Sequence, residues 1–306
     1  MTAAVNTNLG LASRLVNGIL AIQPLANLAK HQARQMMIKR AERIGVPWTQ
    51  EVETLQARDW KADLAQVENP QLSYPDYYLT SFHAYETGNL SWQAAFEVEP
   101  AAYAVHAKIW QGAQAQGDPM LRQSYHNILK SQIPNEPQDI LDVGCSVGLS
   151  SFALQSVYSQ AKITGLDLSS YFLAVANYRA QQRQAKINWL HAQAESTGLP
   201  DASFDLVSIF LMCHELPQSA TRQILAEMRR VLRPGGYLAI MDMNPKSEVF
   251  KKMPAYILTL LKSTEPYLDE YFALDIEQAI VEAGFQTPTI TNNSHRHRTA
   301  IAQVSG

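Results

Sequence analysis

The segment from Asp139 to Leu149, which reads D-I-L-D-V-G-C-S-V-G-L, constrains the fold more than any other part of this chain. An apolar run that ends at Asp142 and leads into Gly144 is typical of a buried strand entering a tight turn. The residues that follow, L-S-S-F-A-L-Q-S-V, place apolar side chains at helical spacing. Strand, glycine turn and helix together indicate the first unit of a nucleotide-binding α/β sheet, where glycine admits a ligand close to the backbone and the helix N-terminus presents free N–H groups.

The spacing of the glycines narrows the class of ligand. A dinucleotide fingerprint, G-x-G-x-x-G, requires glycine where this chain has Ser146 and Leu149, which disfavours NAD. The remaining pattern, D-x-G-x-x-x-G, is formed by Asp142, Gly144 and Gly148. It resembles motif I of the class I S-adenosylmethionine (SAM) methyltransferases, in which the middle position is usually glycine as well.

Composition limits the other classes of function. With 306 residues and 46% hydrophobic content the chain can bury a sizeable core. A formal charge of -3 without a long basic run predicts a small-molecule or protein substrate and no nucleic-acid partner. Two cysteines, Cys145 and Cys213, do not form a disulfide framework and are typical of a reducing compartment. No signal peptide or membrane-spanning run is evident, so we expect a cytoplasmic protein that is soluble or peripheral on a membrane.

The N-terminal region has an unusual charge distribution. Residues 1–41 contain no Asp or Glu but include basic residues among apolar ones, namely Arg14, Lys30, Arg34, Lys39 and Arg40. A helix with this pattern either packs on its own domain or lies on an anionic membrane surface, and both interpretations stay open.

Strands and helices alternate regularly after motif I. The predicted strands are A-K-I-T-G-L-D-L, K-I-N-W-L-H-A, F-D-L-V-S-I-F-L-M and Y-L-A-I-M-D-M, with a terminal pair F-Q-T-P-T-I-T and R-T-A-I-A-Q-V. Pro234 and the two glycines after it are expected to end the helix before the fifth strand. The pattern predicts an α/β, Rossmann-like sheet of seven strands, mostly parallel with one antiparallel strand, plus an N-terminal helical segment.

Two domains are expected, a helical lid or appendage over residues 1–119 and a methyltransferase domain over residues 120–306. Within the first, Y-P-D-Y-Y-L-T-S-F-H-A-Y-E-T-G-N is dense in aromatic residues and is interpreted either as core or as a lid over the cofactor.

Three later motifs support SAM as the cofactor, with S-adenosylhomocysteine as product. Asp167 lies 25 residues after Asp142 at the end of the second strand, where a carboxylate can accept both ribose hydroxyls. H-A-Q-A-E-S-T-G-L-P-D-A-S-F-D and R-R-V-L-R-P-G-G-Y-L-A-I resemble the family motifs that follow motif I, with Gln193 in place of the more common Asp. The resemblance implies a set of cofactor-binding residues: Asp142, Gly144, Cys145, Ser146, Gly148, Asp167, Leu168, Gln193, Ala194, Glu195 and Phe210.

The pattern is most similar to the UbiE-like branch, the C-methyltransferases of ubiquinone and menaquinone biosynthesis. Further stretches, Y-Y-L-T-S-F-H-A-Y-E-T-G-N-L-S-W and S-T-E-P-Y-L-D-E-Y among them, resemble a little-characterised methyltransferase group of cyanobacteria and plant plastids.

Methyl transfer requires mainly alignment of the acceptor, and a general base only where the acceptor must lose a proton. His214 and Glu215, directly after the fourth strand, are predicted to orient or deprotonate the acceptor, with His83 as a rival on the lid. No metal site is predicted. Apolar and aromatic residues between 246 and 274 predict a roof over the pocket.

The sequence thus predicts a SAM-dependent methyltransferase that acts on a small, hydrophobic or aromatic acceptor, such as a quinone-like or isoprenoid compound. Two alternatives remain: a methyltransferase for proteins or polar metabolites, and a SAM-binding protein without catalysis.

Overall fold

A seven-stranded sheet organises the computed structural model of this protein, which describes residues 23–83, 85 and 87–305. The strands lie in the order β3-β2-β1-β4-β5-β7-β6. Their ranges are β1 (Asp139–Val143), β2 (Lys162–Asp167), β3 (Ile187–His191), β4 (Phe204–Phe210), β5 (Leu232–Met243), β6 (Thr289–Asn292) and β7 (His297–Gln303).

The first five strands run parallel to one another, and β7 runs antiparallel to β5. Strand β6 pairs with β7 in antiparallel fashion and therefore returns to the direction of the first five strands. This arrangement confirms the predicted sheet, in which one strand opposes the others. Because β2 and β4 lie on opposite sides of β1, the strand order reverses at β1, where a ligand crevice is expected at the carboxyl ends of the strands.

Helices precede the sheet and then alternate with its strands. Their ranges are α1 (Gln23–Arg43), α2 (Trp48–Gln56), α3 (Lys61–Val67), α4 (Trp92–His106), α5 (Gly117–Gln132), α6 (Leu149–Val157), α7 (Ser170–Arg183), α8 (Gln218–Val231), α9 (Glu248–Lys251), α10 (Ala255–Thr264), α11 (Leu268–Ala273) and α12 (Ile276–Glu282). Side-chain caps explain several starts: Ser91 accepts a hydrogen bond from the N–H of Ala94, and Asp275 accepts one from the N–H of Gln278.

The core lies on both faces of the central strand β1. Ile140, Leu141 and Val143 are fully buried. Leu141 and Val143 pack with the helices and strands of one face, and Ile140 packs with those of the other. Burial of each such side chain stabilises the fold by roughly 2 kcal/mol, so the motif I strand is rigidly held before its turn begins.

Helix α5 covers the second face of the sheet through Leu121, Tyr125 and Leu129, which are buried. The Tyr125 hydroxyl lies 2.9 Å from Ser208 Oγ in the middle of β4. The boundary expected between residues 119 and 120 falls in the first turn of this helix. The division into two domains remains a prediction.

One predicted boundary differs from the structure. Helix α8 ends at Val231, and β5 begins at Leu232, so Pro234 and its glycines lie in the irregular start of the strand and not at the helix end. The register between β4 and β5 shifts between Phe204 and Leu206, which absorbs these residues.

Among the described residues, no helix combines the length and the apolarity that crossing a bilayer would require. Helix α1 contains part of the basic N-terminal region, whereas Arg14 lies outside the described residues.

Candidate active site

The turn after β1 depends on three residues with left-handed backbone conformation. Gly144, Ser146 and Gly148 have φ angles of 69°, 52° and 88°. Ser146 therefore adopts the conformation for which glycine is the usual residue. The turn thus closes with serine at the position where the family usually has glycine.

Gly148 is constrained by its neighbours as well as by its φ angle. A Cβ atom at this position would lie 2.8 Å from the Trp189 ring and 2.9 Å from the Phe152 ring. We expect Gly148→Ala to lower the free energy of unfolding by about 2 to 4 kcal/mol, the sum of backbone strain and ring displacement. Denaturant unfolding measures this change in the free energy of unfolding. Gly45→Ala is the matched control, because Gly45 has φ 82° and open space around it. Equal losses at the two glycines would contradict the packing role.

Asp142 lies at the end of β1 and is completely buried. Its Oδ2 accepts hydrogen bonds from the hydroxyls of Ser150 and Ser151, each at 2.6 Å. Its Oδ1 is buried and accepts no hydrogen bond from the described residues. Burial raises the pKa of Asp142 to about 6 despite the two hydroxyls.

Asp167 lies at the end of β2, directly beside the turn. Its Oδ2 accepts from the backbone N–H of Ser146 at 2.7 Å, and its Oδ1 accepts from the N–H of Ser169 at 2.8 Å. Burial raises the pKa of Asp167 to about 6, although these N–H groups favour the ionised form. Ser169 caps α7 by accepting a hydrogen bond from the N–H of Phe172 through its own hydroxyl, so Asp167 does not cap this helix.

The predicted cofactor-binding residues that follow β3 contact the N-terminal segment. The Tyr77 hydroxyl donates to Glu195 Oε1 at 2.6 Å, and Gln193 Nε2 donates to the carbonyl of Ser73 at 2.6 Å. Glu195 Oε2 is buried and has no hydrogen-bond partner in the described part of the chain. Ala194, between them, is buried in the core.

Further contacts fix the same segment over the carboxyl ends of the strands. The Ser169 hydroxyl donates to the carbonyl of Asn89 at 2.8 Å, and the N–H of Asn69 donates to His191 Nδ1 at 2.9 Å. The segment from residue 69 to residue 89 therefore covers the ends of β2 and β3.

The remaining predicted cofactor residues lie along the same strand ends. The backbone N–H groups of Gly144 and Cys145 donate to the carbonyl of Leu166, which anchors the turn to β2. The Leu168 carbonyl accepts from His191 Nε2 at 3.1 Å. Phe210 ends β4, and its ring lies against Tyr125 with a centroid distance of 5.5 Å.

A buried ion pair follows β4. His214 Nδ1 lies 2.8 Å from Asp242 Oδ1, at the end of β5, and the N–H of His214 donates to Asp242 Oδ2 at 3.2 Å. Burial opposes protonation, but the charge and hydrogen bond of Asp242 outweigh it and raise the pKa of His214 to about 10. The imidazole is therefore protonated at neutral pH.

Two further carboxyl groups meet beside this pair. His83 Nε2 lies 3.3 Å from Glu265 Oε1 and 3.6 Å from Glu215 Oε1, and Asn89 Nδ2 donates to Glu215 Oε2 at 3.4 Å. Burial raises the pKa of Glu215 and of Glu265, whereas the positive charge of His214 opposes that rise. Burial and the same charge lower the pKa of His83 to about 4. We call His83, His214, Glu215, Asp242 and Glu265 the acid–imidazole cluster.

The cluster brings together all three predicted catalytic residues and adds two acids. Glu265 was not among the predicted site residues, because it lies 50 positions from Glu215 and only the fold joins them. The sequence feature from which Glu265 could have been found is the S-T-E-P-Y stretch in the predicted roof. Asp242 lies at the end of the predicted strand Y-L-A-I-M-D-M, and Asn89 was missed.

The predicted roof contacts the N-terminal segment directly. The N–H of His83 donates to the carbonyl of Thr264, at the end of α10, at 2.8 Å. The Tyr77 and Tyr267 rings pack edge to face with centroids 6.3 Å apart. Tyr256, Ile257 and Leu260, on α10, are exposed.

Asp142 Oδ1, Ser146 Oγ and Glu195 Oε2 are all buried and have no partner among the described residues. These three polar atoms fit a ligand that lies along the edge of the sheet and carries an amino group and hydroxyls. S-adenosylmethionine carries both kinds of group. Within the described ranges, no group of three or more His, Cys, Asp or Glu side chains is arranged to hold a metal ion.

Parts of this chain are similar to known methyltransferases. Residues 140–236 match the family model described as a methyltransferase domain. A ubiquinone biosynthesis O-methyltransferase from Aromatoleum aromaticum is 29% identical over 167 residues, which cover 53% of this chain and 70% of the relative. A phthiotriol/phenolphthiotriol dimycocerosates methyltransferase from Mycobacterium tuberculosis is 32% identical over 125 residues, 41% of this chain and 44% of that relative. The chain thus spans less than half the length of the mycobacterial relative.

The fold is also found among solved structures. A phosphoethanolamine N-methyltransferase 2 from Haemonchus contortus, in complex with S-adenosyl-L-methionine, superposes with a TM-score of 0.53 at 16% identity. The match covers 76% of this chain and 61% of that protein.

Proposed function

We propose that this protein, a methyltransferase that uses S-adenosylmethionine, transfers the methyl group to a small, hydrophobic or aromatic acceptor that carries an ionisable hydroxyl or an acidic ring carbon. The observation that carries the proposal is the acid–imidazole cluster at the carboxyl ends of β4 and β5, whose two imidazole rings contact Phe82 and Tyr271. A quinone-like acceptor and a place in the UbiE-like branch, or in the cyanobacterial and plastid group, belong to the same proposal.

The proposed cofactor residues, at the ends of the strands, each bind a different part of S-adenosylmethionine. Asp167 would hold the ribose hydroxyls, Gln193 and Glu195 would meet the adenine side, and the turn at Ser146 with Asp142 would receive the amino acid portion. When bound, S-adenosylmethionine supplies a methyl group on a sulfonium, which is activated for in-line transfer. The contacts of Tyr77 and Ser73 with the adenine-side residues support a lid that opens for the cofactor and closes over it.

The proposed acceptor surface places aromatic rings beside the acid–imidazole cluster. Phe82 packs edge to face on the His83 ring and Tyr271 on the His214 ring, with centroids 4.9 and 6.3 Å apart. The Tyr77 and Tyr267 rings, from the two covering segments, pack against each other, and Leu261 and Met212 pack against the adjoining core. Such a lining favours an apolar or aromatic acceptor over a strongly polar one. The names of two relatives support this class of acceptor, because one refers to ubiquinone biosynthesis and the other to phthiotriol and phenolphthiotriol dimycocerosates.

Protonation states assign roles within the cluster. His214 already holds its proton through Asp242, so we assign it the orientation of the acceptor and the stabilisation of developing negative charge. Glu215 and Glu265 have raised pKa values, which suits a carboxylate that accepts a proton near neutral pH. His83 lies between them and would orient the pair.

The proposed acceptor class is tested with metabolites of a strain that lacks this gene. Purified protein with methyl-labelled S-adenosylmethionine is mixed with the organic and the aqueous extract of that strain, and labelled product is counted in each. Label in a compound from the organic extract is expected. Label only in the aqueous extract, or on a protein, would favour the polar-metabolite or protein alternatives, and SAM binding without any labelled product would favour the non-catalytic alternative.

A further inference from the structure

A basic groove lies outside the proposed active site, between the C-terminal part of α1 and the residues after α4. Its volume is about 570 Å³, and its lining includes Lys39, Arg40, Arg43, Lys108, Met36 and Trp110. Met36, Lys39, Arg40 and Arg43 follow one another at intervals of three, one and three residues, so they share one face of α1.

The positive charge of the groove is not neutralised within the protein. Arg34, which precedes the groove on α1, pairs with Glu97. In contrast, no ion pair among the described residues joins Lys39, Arg43 or Lys108 to an acidic side chain. Unpaired like charges around one concave surface repel each other, and an anion in the groove would relieve that repulsion.

A further cation reinforces the groove from the sheet side. Arg296 Nη2 donates to the carbonyl of Val105 at 3.3 Å, and Arg40 Nη1 donates to the carbonyl of Ala104 at 3.4 Å. Both guanidinium groups therefore meet the C-terminal end of α4, while Arg296 Nε is buried without a hydrogen-bond partner in the described part of the chain.

The groove is connected to the carboxyl edge of the sheet, where the acid–imidazole cluster lies. The N–H of Asn244 donates to the carbonyl of Arg296 at 2.8 Å. Asn244 is two residues past Asp242, the partner of His214. Arg296 therefore links the end of α4, next to the groove, with the end of β5, which carries the partner of His214.

We propose that this groove binds the phosphate headgroups of anionic phospholipids and thereby seats the enzyme on a membrane surface. Cationic side chains would meet the phosphates, and Trp110 would lie at the level of the headgroups, where its amphipathic ring is favoured. Exposed apolar residues on α1, Leu28 at 55% and Met36 at 62%, would contact the acyl boundary. The inference goes beyond the proposed acceptor chemistry and does not depend on it.

A lipid surface fits the groove better than a nucleic acid does. The whole chain carries a formal charge of -3, which repels an extended polyanion, whereas a flat anionic surface contacts only the basic face. The apolar side chains beside the cations could contact the acyl chains of a bilayer, whereas a phosphate backbone offers them no apolar surface.

The proposal is tested by vesicle cosedimentation of the full chain. Vesicles of phosphatidylcholine with one-third phosphatidylglycerol are compared with pure phosphatidylcholine, and with inorganic phosphate and RNA as soluble competitors. The groove variant is Lys39→Gln with Lys108→Gln. The matched control is Lys162→Gln with Lys186→Gln, two exposed lysines at the amino ends of β2 and β3. Thermal unfolding establishes that both variants are folded.

We expect binding to the anionic vesicles, weakened about 30-fold in the groove variant because each lysine near an anionic surface contributes a factor of about 5. The control should bind within threefold of the wild type. Equal binding to both vesicle types, or an unchanged groove variant, would overturn the proposal. So would a site for a soluble anion, seen as stabilisation by inorganic phosphate through the same lysines without vesicle binding, or tighter binding of RNA through them.

Discussion

Replacing Asp167 by asparagine is expected to weaken S-adenosylmethionine binding roughly 100-fold, the loss of about two charge-assisted hydrogen bonds. The carboxylate accepts from the N–H groups of Ser146 and Ser169 and is proposed to accept the ribose hydroxyls. An amide has a single acceptor oxygen, and its NH₂ group would face N–H donors. Isothermal titration calorimetry measures the change in affinity.

Asp205→Asn is the matched control for this substitution. Asp205 also accepts from two backbone N–H groups, those of Gln138 at 2.9 Å and Asp139 at 3.0 Å, but it lies at the amino end of β4. Its replacement should lower stability and leave cofactor affinity within twofold of the wild type. A folded Asp167→Asn protein with wild-type affinity would refute the ribose assignment.

Cofactor affinity should also depend on pH through Asp167. Burial raises the pKa of this carboxyl to about 6, and the ionised form is the one that accepts hydroxyl protons. Affinity is therefore expected to fall as pH decreases through about 6 and to level off above pH 7, with proton release on binding below pH 6. The raised pKa of Asp142, also about 6, acts in the same direction.

Replacing Glu215 or Glu265 by glutamine is the second change with a large expected effect, a loss of roughly 100-fold in kcat for each single variant. Both carboxyl groups approach His83 Nε2, at 3.6 and 3.3 Å, so they act as a unit. The double variant should therefore lose little more than either single variant. Steady-state kinetics with a saturating acceptor, together with cofactor titration, separates turnover from binding.

The pH profile identifies the proton acceptor. Because burial raises the pKa of Glu215 and Glu265, and the carboxylate form accepts the proton, kcat should fall as pH decreases below this raised pKa. His214 stays protonated up to a pH of about 10, so it should not add an inflection to the plot of kcat against pH near neutrality. Glu248→Gln, on the exposed helix α9, is the control. Unchanged turnover in both single variants would remove the carboxyl pair from the mechanism.

Much of the fold could be predicted because it depends on local patterns. Motif I, the alternation of strands and helices and the terminal strand pair each leave a short-range signal, and their order limits the topology. The place of Pro234 was not predictable in this way: a proline breaks a helix, but the chain leaves helix α8 at Val231, and the proline lies in the irregular start of β5.

The candidate site was predictable only in part. Asp142 and Asp167 are marked by their places at strand ends, whereas Glu265 and Asn89 reach the site through tertiary contacts that no spacing encodes. Nothing in the sequence gives a reason to prefer His214 or Glu215 as the group that accepts a proton. Burial beside Asp242 distinguishes them, because it fixes a proton on the imidazole and leaves a carboxyl group as the acceptor.

A crystal structure with S-adenosylhomocysteine would test the account most directly. We predict that the ribose hydroxyls lie within hydrogen-bonding distance of Asp167 and that the sulfur faces Glu215 and Glu265. The adenine should lie beside Gln193 and Glu195, with Tyr77 displaced from Glu195 or repositioned over the ring. A ligand with its ribose away from Asp167, or a sulfur that faces away from the acid–imidazole cluster, would contradict the account.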